Sequence, residues 1–246
     1  LQSGGSQASA LQLGAAFGFL SGKVLGQYEA FVPEGGRGRL LLVAPSIVAA
    51  ERLLDLDPHD FRLWVCLHEE THRVQFTAVP WLSGYLMSEV RAFLRVAEND
   101  PGFTRRMVAA ARAASSRAGG GRLIDLLQTD EQRVIFDRTT AFMSLLEGHA
   151  DVVMDEVGPA VIPTVATIRA RFDHQRNHPR RIDGLVRRFI GLNAKLRQYT
   201  DGARFVRAVV DAVGMTGFNQ VWVSPGNLPS LEEIADPDAW VRRVCR

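Results

Sequence analysis

Cysteine is almost absent from this chain: Cys66 and Cys245 are the only two among 246 residues. They lie far apart in the sequence, and Cys66 falls in an apolar run that reads as helix. A disulfide framework and a CxxC site are both excluded, and a reducing, cytoplasmic setting is the expectation. Lysine is as scarce. Lys23 and Lys195 are two of 29 basic residues, so 29 − 2 = 27 are arginine, and the 27 acidic residues leave a net charge of only +2. The arginines are interleaved with acids and apolar residues, which excludes the basic stripe that nucleic acid or anionic lipid would require. Long apolar runs are missing too. Leu11 to Leu20 is too short and too rich in Gly and Ala to span a bilayer, and no basic segment precedes it, so no membrane partner is expected.

With 46% hydrophobic residues, the chain can bury a core without staples. Residues 1–10 read as a polar, flexible lead to a trimmed start, and 11–246 as a single domain, since no repeat or composition shift divides it. Leu11 to Tyr28 reads as helix, Glu34 to Arg39 as a Gly-rich turn, and Leu40 to Val43 as a strand ended by Pro45. Asp57-Pro58, a capping residue followed by proline, opens a helix whose apolar spacing persists to Val79-Pro80. Further helices are expected over Leu82 to Asn99 and Phe103 to Ala118, the latter ended by Gly119-Gly120-Gly121. Thr129 and Gln132 have capping-box spacing and start a long helix, expected to stop at Gly158-Pro159. From Val165 the pattern is helical to about Gly214, followed by an irregular tail around a short capped helix at Ser230.

The helix from Pro58 to Ala78 carries His68-Glu69-Glu70-Thr71-His72. Four residues correspond to one turn and a rotation of about 40°, so both imidazoles can reach one ion. Zinc suits the pair because it accepts neutral imidazole nitrogens and, with three protein ligands, keeps a fourth position for water. Glu69 then stands where it can take a proton from that water. Glu70 lies about 100° further round and reads as a surface residue.

A third ligand must come from elsewhere. The extended metzincin pattern would need glycine at position 75 and histidine at 78, which here are Gln75 and Ala78. Leu146-Glu147-Gly148-His149-Ala150-Asp151 offers three candidates in an apolar helix. Glu147 and Asp151 share a face, whereas His149 lies about 160° away from it. The arrangement that suits zinc best has Glu147 as ligand and Asp151 accepting the other ring N–H of a ligand histidine. His149 reads as a packed core residue and is the replacement ligand should Glu147 not bind. Gly148 would let two helices approach closely.

The blocks LLLVAPSIV, LWVCLHEETHRVQFTAVPWL, LLEGHADVVMD, KLRQYTDGARFV and FNQVWVSPGNLPSLEEI together resemble the type 2 zincin-like metallopeptidase family of actinobacteria and relatives, from about Gly26 onward. The resemblance implies an α+β, predominantly α-helical zincin fold with a small sheet. It also implies a gluzincin-like site in which HEETH supplies His68, Glu69 and His72 and EGHAD supplies Glu147. A donor for a developing oxyanion is expected from Tyr199 or Arg197. His174 and His178 sit in a polar run without apolar support and read as solvated surface.

The expected function is that of a zinc-dependent hydrolase, read as a metallopeptidase acting on a peptide or small-amide substrate, with Glu69 as general base and Tyr199 as second catalytic group. The strand from Leu40 to Val43 would then either receive an extended peptide along its edge or be buried in the sheet. The alternative is a catalytically silent zincin scaffold in which zinc only stabilises a binding or assembly protein.

Overall fold

The computed structural model describes residues 25–29, 38–98, 129–177 and 197–245. Its only sheet among these residues is an antiparallel pair, β1 (Gly26–Tyr28) and β2 (Leu40–Leu42), in the register Gly26 to Leu42 and Tyr28 to Leu40. The helices are α1 (Ala44–Leu53), α2 (Pro58–Ala78), α3 (Trp81–Glu98), α4 (Asp130–Val161), α5 (Val165–Asn177), α6 (Arg197–Phe218), α7 (Leu231–Ala235) and α8 (Pro237–Val244). The chain is α+β and predominantly helical, as the sequence implies. Among the described residues no helix is long and apolar enough to cross a membrane.

The structure differs from the sequence reading in four places. Gly26 to Tyr28 is strand, not the end of a helix, because a glycine within a helical pattern disfavours helix and the three residues find β2 as a partner. Pro45 does not merely end a strand but occupies the first turn of α1, where its missing N–H costs nothing. Helix α4 continues beyond Gly158-Pro159 to Val161, since the proline falls in its last turns and Ile162 N–H still reaches the Gly158 carbonyl at 2.8 Å. Gly214, at φ +71°, interrupts α6 where the sequence reading ends the helix, but helix resumes and runs to Phe218. The expected helix over Phe103 to Ala118, its glycine run, His178 and residues 1–10 lie outside the described residues.

Two compact units divide the chain, Leu1–Val74 with Val153–Ala194 and Gln75–Val152 with Lys195–Arg246. In the first, Ile47, Leu54, Phe61, Val65, Met154, Ile162 and Ile168 form a buried core from α1, α2, α4 and α5. The buried Glu51 on α1 takes a two-pronged contact from Arg62 of α2, at 2.7 and 2.9 Å. Asp55 closes α1 in the left-handed region, at φ 51°, a conformation that aspartate tolerates better than most residues.

In the second unit, Phe205, Val206, Val209, Phe218, Val221 and Trp240 pack with Ala141 and Leu145 of α4. Leu82, Phe142 and Leu146 form a smaller cluster beside them. The capping box expected at Thr129 is present in both directions, Thr129 N–H to Gln132 at 2.9 Å and Gln132 N–H to the Thr129 hydroxyl at 3.1 Å. So is the one at Ser230 with Glu233.

Helices α4 and α6 approach closely at a pair of glycines. A Cβ on Gly202 would stand 2.0 Å from the Ser144 carbonyl oxygen, and one on Gly148 would stand 2.2 Å from the Gly202 carbonyl carbon. Neither helix can accept a methyl group there without moving as a whole. Gly202→Ala should therefore lower the thermal midpoint by an overpacking cost of about 1–3 kcal/mol. Gly84→Ala, where an added Cβ meets nothing within 4 Å, should leave the midpoint unchanged or raise it slightly. Parallel thermal melts check both.

Candidate metal centre

Along one face of helix α2, Phe61 and Val65 go to the core, and His68 and His72 continue the same stripe one and two turns further on. The His68 and His72 rings stand perpendicular, with centroids 4.8 Å apart and their Nε2 atoms 3.2 Å from one another. Two nitrogens each about 2.0–2.1 Å from a tetrahedral zinc would be separated by about 3.3 Å. The pair therefore fits such an ion without rearrangement. With Glu147 as a candidate carboxylate, His68 and His72 would make a mixed nitrogen and carboxylate set, one that zinc accepts.

The His68 ring is held by stacking. Trp64, one turn earlier on α2, lies nearly parallel to it, 5.8 Å between centroids and 20° between planes. Trp64 itself stacks on Phe172 of α5 at 5.4 Å and on Phe61 at 6.2 Å, and the Arg169 guanidinium lies 5.8 Å from its ring. The imidazole thus ends a row of rings whose other members are anchored in the core.

Glu69 is 7% exposed although it carries a carboxylate. Strand β1 makes room for it. An added Cβ on Gly26 would come within 2.7 Å of the Glu69 Cγ and 2.9 Å of its Oε1. Glu70 points elsewhere, to an ion pair with Arg73 three residues on. The Arg73 hydrogen bonds hold the Glu70 carboxyl below its ordinary range, while Glu70, with Tyr28 in support, raises the guanidinium. The two neighbouring glutamates are thereby separated into a buried one and a neutralised surface one.

The chain belongs to the zincin-like metallopeptidase family. The family's sequence pattern matches residues 1–241. A solved structure from Chloroflexus aurantiacus, described as that of a candidate hydrolase with a novel fold, is 34% identical. The similarity covers 96% of this chain and 68% of that one, with a TM-score of 0.65. Comparison with curated proteins finds no match. The family and this neighbour support a hydrolase.

Of the remaining residues singled out in the sequence, Asp151 is half-buried on α4, one turn after Glu147. His149 is half-buried and packed, stacked on Phe218 with 7° between planes and edge-on to Trp222. This is the core role expected of it. His174 is exposed on α5. Tyr199 and Arg197 fall in the first turn of α6, but their side chains lie outside the described ones. Two contributors escaped the sequence reading: Gly26 and the Trp64 ring. A glycine inside an apparent helix, and a tryptophan four residues before His68, were the available signals.

A second cluster, Asp57, His59 and Asp60, also brings three ligand-type atoms together, yet its contacts are those of a helix start. Asp57 caps α2 by accepting the Asp60 N–H at 2.9 Å. The Asp60 carboxylate accepts from the Thr164 hydroxyl at 2.7 Å and the Thr164 N–H at 3.0 Å, tying α2 to the start of α5. The Thr164 hydroxyl, aided by His59 and the Thr164 N–H, holds the Asp60 carboxyl below its ordinary range. A depressed folded pKa stabilises at every pH above the unfolded value and ceases to do so as pH falls through the folded one. The stability difference between wild type and Asp60→Asn should accordingly be full near neutrality and shrink below about pH 4. Urea titrations across that range check it, and a difference that grows on acidification would contradict it.

Proposed function

We propose that the protein is a zinc-dependent hydrolase of amide bonds in peptides or small amides, with His68, His72 and Glu147 as the metal ligands and Glu69 as the general base. The observation that carries this reading is the 3.2 Å approach of two imidazole Nε2 atoms, one turn apart on α2. When bound there, zinc supplies Lewis acidity, acidifying water and polarising a substrate carbonyl.

The chain's own residues do the rest. Glu69 accepts a proton from the attacking water through its carboxylate and returns it to the leaving amine. Its burial beside Gly26 keeps that carboxylate out of bulk water. Asp151 accepts the second ring N–H of a ligand histidine, which fixes the tautomer that leaves the other nitrogen free to bind. Tyr199, near the start of α6, donates to the oxyanion that develops on the carbonyl. Trp64 fixes the plane of the His68 ring by stacking, so its part is positional.

Elemental analysis of the purified protein should give about one zinc per chain, and His68→Ala or His72→Ala should abolish it. Glu69→Gln should retain zinc and lower hydrolysis of any substrate found in a peptide-library digest by at least about 100-fold, the range of a positioned general base. Activity that survived Glu69→Gln would refute the mechanism. Stoichiometric zinc in a chain that cleaves nothing would instead favour the silent scaffold.

A further inference from the structure

Gln75 lies three residues after His72 on α2 and is 4% exposed. Its side-chain amide nitrogen is 3.0 Å from the carbonyl oxygen of Leu146 and 3.0 Å from Nδ1 of His149. The Leu146 oxygen can only accept, so the atom facing it is the amide NH2, and this group has two hydrogens to give. One goes to Leu146, whose oxygen has a second lone pair beyond its helical bond. The other points at His149 Nδ1, which must therefore be the accepting nitrogen, leaving the ring proton on Nε2.

The His149 ring cannot turn away from this contact. It is parallel to Phe218, with centroids 5.6 Å apart, and meets Trp222 edge-on at 5.4 Å. Trp222 is fixed in turn through its backbone carbonyl, which accepts from Trp81 Nε1 at 2.9 Å. The two acceptors of Gln75, Leu146 and His149, bracket Glu147 in the sequence. We propose that Gln75 and His149 are a positioning pair that holds the turn of α4 bearing Glu147, and that metal affinity depends on it. This inference rests on the reading of Glu147 as a metal ligand.

The pair has no chemical duty toward substrate; it sets where the Glu147 backbone stands. A helix is free to slide or rotate on apolar contacts, whereas a buried amide donor with two acceptors allows one register and leaves unsatisfied groups in any other. Partners that orient metal ligands from behind are worth about 10–100-fold in affinity.

The experiment is zinc affinity by chelator competition on the full chain, alongside thermal melts. Gln75→Met keeps the length of the side chain and removes both donors. It should bind zinc about 10–100-fold more weakly. His149→Phe keeps the ring stack and removes one acceptor, and should weaken zinc by a smaller factor with the stoichiometry unchanged. A folded Gln75→Met chain with wild-type affinity would overturn the proposal and leave the metal reading standing, since a merely structural amide lowers the melting point alone. If Gln75→Met does not fold, His149→Phe decides by the same criterion. Loss of zinc stoichiometry in His149→Phe would also overturn the proposal, by making His149 a ligand itself. A wild-type chain that takes up no zinc would sink the reading of the site and this inference with it.

Discussion

Two ring nitrogens held 3.2 Å apart are a demanding arrangement. At most one hydrogen bond can form between them, and without a shared proton or cation they repel. The surroundings are built to enforce that convergence. A helical turn sets the spacing of His68 and His72, Trp64 sets the plane of one ring, and the core residues Phe61 and Phe172 hold Trp64 in place. Thr164 ties the start of the same helix to α5 through Asp60. The strength of each contact is modest, but together they leave the α2 histidines one orientation.

Glu69 is placed differently from its neighbour. Glu69 and Glu70 are adjacent in sequence and differ by about 100° around the helix, which puts one against β1 and the other toward Arg73. Gly26 makes the first placement possible, because any side chain there would occupy the space of the Glu69 carboxylate. The surface ion pair contributes little to stability. Its consequence is electrostatic: the second negative charge is paired locally rather than left beside the buried acid.

Much of this was legible before any coordinates. The bounds of α2 follow from Asp57-Pro58 and Val79-Pro80, and the HExxH spacing places both histidines on one face by helical geometry alone. The capping boxes at Thr129 and Ser230 were readable for the same reason: they are local, with partners three residues apart. The strand at Gly26 to Tyr28 was not, because three residues become strand only through a partner twelve or more residues away. The role of Gln75 was equally hidden. In the sequence it serves only to exclude a metzincin ending, and its acceptors lie 71 and 74 residues further on.

By itself, then, the sequence determined the elements whose signals are local: the metal-type helix, the helix of Glu147 and Asp151, the capped starts and the family. Tertiary structure alone decided which glutamate is buried, which ring steadies His68, and which polar side chain brackets the turn of Glu147. The physical reason is that these depend on through-space neighbours: a missing Cβ at Gly26, a stacked indole, and an amide with two distant acceptors. No periodicity encodes such neighbours, because each is a property of how separate segments pack.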